Sequence, residues 1–191
     1  MKQYQIAAAI ALAMGLGFAS HANAQFINGG TITFTGVVTD DTCPVQGGSG
    51  TDGGKNNFIV ALDAVNTSAL AVDGAVAGKQ PFDVVVGGPD SGCNPNLVAS
   101  MKFLSSSPRV DPTTGTLTNA LAGEAGNTNI QLLDASDAVI NLADTNNSVT
   151  LPWDVATKTA VVKYSAQYKA VGGAATAGLV STSVVYSVAY N

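Results

Sequence analysis

Ser181 to Asn191 reads STSVVYSVAYN. It alternates like a strand, with Val184, Tyr186, Val188 and Tyr190 on one face and Val185, Ser187 and Ala189 on the other. A strand of this kind, with an aromatic beside its last residue, either packs at a sheet edge or leaves that edge open. An open apolar edge is a template for another chain. Working back along the chain, Ala160 to Ala170 is a second long strand. Shorter ones precede it: Thr31 to Thr39 (TITFTGVVT), Asn57 to Leu62 (NFIVAL), Pro81 to Val86 (PFDVVV), Met101 to Ser105, Asn129 to Leu133 and Ala138 to Leu142. Asp63 to Ala77 is rich in Ala and Val and accommodates a helical turn. About eight strands separated by Gly, Ser, Thr and Pro predict a β-sandwich. With no repeat at a fixed period and no break in composition, one domain is expected.

Composition excludes several classes of function. Of 191 residues only 11% are charged, and the eight basic residues are scattered, so no Lys/Arg cluster could neutralise a phosphate backbone. A hydrophobic share of 46% is enough to bury a core. The single histidine, His21, lies in a segment expected to be removed, which leaves no imidazole for general-base or metal chemistry. Gln46 to Gly54 (QGGSGTDGG) lacks the Lys-Ser/Thr of a phosphate loop. Asp40-Asp41 and the pair Asp134, Asp137 lack calcium-loop spacing and read as solvated turn acids. No serine has a base to activate it. No catalytic residues, no metal site and no cofactor are expected, and the chain does not read as an enzyme.

Residues 1–24 have the pattern of a secretory signal. Lys2 is followed by the apolar run Ile6 to Ala19 and by Ala22-Asn23-Ala24 ahead of Gln25. The run is short for a membrane span. Removing the signal leaves seven basic against thirteen acidic residues. Export agrees with the two cysteines, Cys43 and Cys93, which lie fifty positions apart and suit one structural disulfide in an oxidising compartment. Neither a Cys-x-x-Cys redox pair nor a full set of metal ligands is present.

Phe26 to Gly36 (FINGGTITFTG) is extended in pattern, though broken by glycine near its start. Its spacing alone favours a flexible leader followed by an ordinary strand from Thr31.

Over nearly the whole exported chain, the sequence resembles the subunits of chaperone–usher fimbriae, the type 1-like pilins of Gram-negative bacteria. The resemblance rests on an ordered set of motifs. Asn-Gly-Gly-Thr-x-x-Phe-x-Gly at Asn28 to Gly36 is followed by Thr42-Cys43-Pro44-Val45 and Phe58-Ile59-Val60-Ala61-Leu62. Gly78 to Val84 (GKQPFDV), Ile130 to Asp134 (IQLLD), Tyr164 to Tyr168 (YSAQY) and Ala175 to Gly178 (ATAG) come after them. Each motif is weak alone, and the set is specific.

The resemblance implies an all-β fold: an incomplete immunoglobulin-like sandwich that lacks its last strand and is completed by a donor strand from a neighbour. Residues 25–34 would be the N-terminal donor-strand extension and 35–191 the pilin domain. Asn28, Gly30, Ile32 and Phe34 would face a neighbour's groove. A shift of one residue would present Ile27 and Thr31 instead. The acceptor groove and chaperone contact would involve Gly178, Val184, Tyr186, Val188, Tyr190 and the carboxylate of Asn191. Cys43 and Cys93 match the family disulfide.

The implied partners are other copies or related pilins, a periplasmic chaperone and an outer-membrane usher. A host receptor would be reached through the assembled fibre, and no nucleic acid is involved. The implied location is the cell surface, reached through the periplasm. A shaft subunit fits better than a tip adhesin, which carries an extra domain. The long Gln46 to Lys55 loop and the turn Ser91 to Pro95 depart from the family. Both are expected to alter the fibre's outer surface and leave the groove alone. The competing account is a secreted monomeric carbohydrate-binding sandwich, with Trp153 and Asp154 or Tyr164 and Tyr168 as its site.

Overall fold

A computed structural model describes residues 43–96 and 98–190. The signal sequence, the donor-strand expectation for Asn28, Gly30, Ile32 and Phe34, the strand at Thr31 to Thr39 and the role of Asn191 lie outside the described residues.

The regular structure of the described chain is almost entirely antiparallel strand: β1 (Val45–Gly47), β2 (Val76–Gly87), β3 (Ala99–Phe103), β4 (Leu117–Thr118), β5 (Thr128–Leu133), β6 (Val139–Ile140), β7 (Val149–Thr150), β8 (Trp153–Asp154), β9 (Thr159–Ala170) and β10 (Tyr186–Tyr190). One sheet runs β1-β2-β9-β5-β4, with β6 on β5 and β8 on β9. The second runs β10-β3-β7, with β10 at its edge. The two 12-residue strands, β2 and β9, form the spine of the larger sheet, in register from Gln80↔Ala166 to Gly87↔Thr159. The pairing shifts between Ala77 and Gln80, and Pro81 follows that irregularity. Proline, which has no N–H to give a ladder, belongs at such a position.

Alternation along each strand places the core between the sheets. Phe82, Val84, Val86, Ile130, Leu132, Val162, Tyr164 and Ala166 face inward from the larger sheet, and Ala99, Met101 and Phe103 from the smaller. Tyr164 ties the layers together. It lies 5.6 Å, ring to ring, from Phe82 on the adjacent strand and 5.2 Å, edge-on, from Phe103 of the opposite sheet. Side chains of this size contribute roughly 1.5–3 kcal/mol each when fully buried. Cys43 and Cys93 are joined by a disulfide, with Cα atoms 5.1 Å apart. The helical turn is a 3-10 turn at Thr67–Leu70, capped by the Asn66 side chain, which accepts from the Ser68 N–H at 2.9 Å.

Two strand expectations need correction. Asn57 to Leu62 forms no ladder strand, and of Ser181 to Tyr190 only Tyr186–Tyr190 does so. Both stretches have the alternation of strands. The element that would hydrogen-bond to them is missing from the described chain.

Candidate functional site

The two unladdered stretches border one groove. Along the first, Phe58, Val60 and Leu62 are half-buried while Asn57, Ile59 and Ala61 are exposed. Along the second, Val180, Thr182, Val184 and Tyr186 are half-buried while Ser181, Ser183 and Val185 are exposed. Each stretch therefore turns an apolar face toward the core, as an edge strand does.

Backbone bonding is one-sided on both lips. On the C-terminal lip, the Ser181 carbonyl accepts from Ala120 N at 2.7 Å, and the Val185 carbonyl accepts from Leu104 N at 2.8 Å. The amides of Ser181 and Val185 donate to Asn119 Oδ1 and Ser107 Oγ, each at 3.0 Å. Successive backbone groups of an extended chain point to opposite edges, so those of Val180, Thr182 and Val184 point across the gap. Among the described residues they have no hydrogen-bond partner. On the N-terminal lip, Asn56 N donates to the Val45 carbonyl at 2.8 Å and Asn57 N to the Lys55 carbonyl at 2.7 Å, and from Phe58 to Leu62 only the Ile59 backbone is tied among the described residues. Its amide donates to Asp52 Oδ1 at 2.9 Å, and its carbonyl accepts from Asp52 N at 3.1 Å. Between the lips is a cavity of about 620 Å³, floored by Phe82, Val84, Phe103, Ile130, Leu132 and Ala166. Unpaired edge groups on both sides and an apolar floor between them are what a sandwich presents when one strand is missing.

The Gln46 to Lys55 loop does not leave the groove alone, contrary to expectation. Asp52 is part of it and holds Ile59 in place. Gly48 N and Ser49 O bond the Asp83 backbone, each at 2.8 Å, so the loop is laid on β2. Gly50 has φ +77°, and a Cβ there would strike the Pro81 carbonyl. Here glycine permits close packing rather than slack. The amides of Ile59 and Gly54 hold the Asp52 carboxyl below its ordinary value.

Of the residues expected to form the acceptor, Val184 and Tyr186 line the cavity. On β10, Val188 and Tyr190 pair with Met101 and Ala99 of β3 and pack on the same core beyond the cavity. Gly178 stands outside the lining, where a Cβ would collide with the amide nitrogen of Ala125. Burial pushes the hydroxyls of Tyr186 and Tyr190 up from the usual phenol range. The sequence reading missed the role of Asn56 to Leu62 as the opposing lip. Its signal was the short apolar run NFIVAL, which fits a paired and an unpaired strand equally well.

The residues of the competing sugar-site reading do not converge. Trp153 and Asp154 pair with Ala160 and Thr159, and the half-buried indole packs on the core. Tyr164 is 3% exposed, and burial pushes its hydroxyl up to about 12. Tyr168 lines the groove floor.

Residues 32–191 match the family described as fimbrial protein. The chain is 39% identical to the major fimbrial subunit SMF-1 of Stenotrophomonas maltophilia, over 85% of this chain and 92% of that protein. It is 35% identical to the F17 fimbrial protein of Escherichia coli, over 93% and 96%. Among solved structures, it resembles a subunit of a chaperone–usher pilus at TM-score 0.55 and 20% identity, covering 86% of this chain and 97% of that one. It also resembles the P pilus rod subunit at TM-score 0.53 and 18% identity, covering 85% and 100%.

Proposed function

The chain belongs to the fimbrial protein family and is a structural subunit of a pilus, and from that premise we propose that it polymerises head to tail by donor-strand exchange. The observation that carries the proposal is the groove between Asn56–Leu62 and Val180–Tyr186, with unpaired backbone on both lips and an apolar floor. A strand laid there hydrogen-bonds to both lips and drives alternate side chains into the floor, which is β-augmentation.

The donor is the N-terminal extension of another copy, residues 25–34, with Asn28, Gly30, Ile32 and Phe34 directed inward. Residues 1–24 are a signal removed on export. Before assembly, a periplasmic chaperone covers the groove and holds the Asn191 carboxylate, and an outer-membrane usher delivers the subunit to the surface fibre. The role is structural rather than catalytic and serves adhesion through the fibre.

The test compares thermal unfolding of two periplasmic versions that both lack Gln25 to Gly30. One ends at Asn191. The other continues through a short Gly/Asp linker into a copy of Gln25 to Gly36. The expected result is a soluble monomer with a much higher melting temperature for the second. Equal melting temperatures would mean that the sandwich is already closed, and the donor-strand reading would fall.

A further inference from the structure

The two lips of the groove touch at one end, and the contact is specific. The Tyr186 hydroxyl donates to the backbone carbonyl of Asn56 at 2.6 Å. The Tyr186 ring lies 5.9 Å from Phe58, tilted by 36°. Tyr186 opens β10 on the C-terminal lip, and Asn56 and Phe58 belong to the N-terminal lip, so both contacts cross the gap. We infer that Tyr186 is a positioning residue that holds the two lips one strand-width apart, keeping the empty groove in the shape that receives a donor strand.

The flanking neighbours of a single missing strand stand about 9.5 Å apart, a gap that a tyrosine side chain and one hydrogen bond can bridge. The bridge is made by a side chain, while the backbone of Val180, Thr182 and Val184 stays unpaired among the described residues and free to meet an incoming strand. Without such a strut, the lips would gain by closing on each other, since the hydrophobic effect favours removing the half-buried Phe58, Val60, Leu62, Val180 and Val184 from water. A collapsed groove has to reopen before it can bind. Apparent affinity then falls by the fraction of subunits that remain receptive. Asp52 secures the same lip from its outer side through Ile59, so the strut acts on a lip that is already anchored.

This inference rests on the donor-strand reading, and one experiment separates their failures. The full exported chain, kept dilute enough to remain monomeric, is titrated with a fluorescent peptide of sequence QFINGGTITFTG, the copy of Gln25 to Gly36. Tyr186→Phe keeps the ring and its packing on Phe58 and removes only the hydroxyl. The variant is expected to bind the peptide about fivefold more weakly, the worth of one ordinary hydrogen bond, with the loss in the association rate. Phe58→Leu, which removes the ring contact and keeps bulk, is expected to act in the same direction.

Unchanged affinity for Tyr186→Phe together with a lowered melting temperature would show a merely structural residue and overturn the inference. Tighter binding would show a latch that the donor must break and would overturn it as well. If the unaltered chain fails to bind the peptide at all, the donor-strand reading itself falls.

Discussion

At the scale of single residues, the groove depends on a few polar contacts that hold apolar surfaces apart. Asp52 shows this most directly. Its carboxylate accepts from Ile59 N and Gly54 N, and both bonds favour the ionised form. A carboxyl whose folded value lies below its ordinary 3.8 contributes stability that is present above that pH. The contribution is lost as pH falls through the lowered value. The N-terminal lip should therefore loosen in acid. Hydrogen-exchange protection of the Ile59 amide is expected to persist above pH 3.8 and to drop as pH falls below it, and Asp52→Ala should remove it throughout. Unchanged protection in the variant would mean that the lip is held by something else. Gly178 is the residue whose signal the sequence showed without its reason. What demands glycine there is the close pass of the Glu124–Ala125 backbone.

At the scale of elements, a strand's pattern and a strand's pairing are separate facts. The apolar run NFIVAL and the start of STSVVYSVAYN alternate in burial as an edge strand does, yet they stay outside the ladders because their partner is not among the described elements. Alternation is a property of side chains along one segment, whereas a ladder needs a second segment. Short strands such as β4 and β7 escaped notice for the converse reason. Two residues are too few for a period to show, and only their neighbours in space make them strands. Val184 tests the groove as an element. It is half-buried on the C-terminal lip with nothing laddered to it. Val184→Asp should change the stability of the unfilled subunit by less than about 1 kcal/mol. It should weaken binding of the Gln25 to Gly36 peptide by roughly a hundredfold, because the inserted strand would strip water from a charge in an apolar site. Urea melts and the peptide titration check the two halves. Retained affinity would place the donor elsewhere.

At the scale of the whole molecule, the proposed donor-strand exchange, with one groove and one N-terminal extension per chain, would make a heterologous contact. Such contacts build filaments when they do not close into rings. A subunit with an unfilled groove has an incomplete core, so its covalent tie matters more than in a closed sandwich. The Cys43–Cys93 disulfide spans fifty positions and anchors the chain just before β1 to the stretch entering β3. Closing a loop of that length contributes about 4 kcal/mol in the chain-entropy account. The double variant Cys43→Ser/Cys93→Ser is expected to melt on the order of 10 °C lower, measured by circular dichroism under non-reducing conditions. A melting temperature within 2 °C of the parent, about the effect of 1 kcal/mol, would show that the tie is dispensable.

The amino-acid sequence by itself determined the β-rich architecture, the position of most long strands, the cysteine pair and the absence of any imidazole beyond His21. Each follows from side-chain periodicity or residue type, which are local properties of the chain. Only the tertiary structure decided that Asn56 to Leu62 is a lip rather than a paired strand, that the glycine-rich loop anchors that lip through Asp52, and that Tyr186 reaches across to Asn56. Those are relations between segments as much as 130 positions apart in the chain. They exist because two sheets pack over a shared apolar core and leave one strand's width of it uncovered.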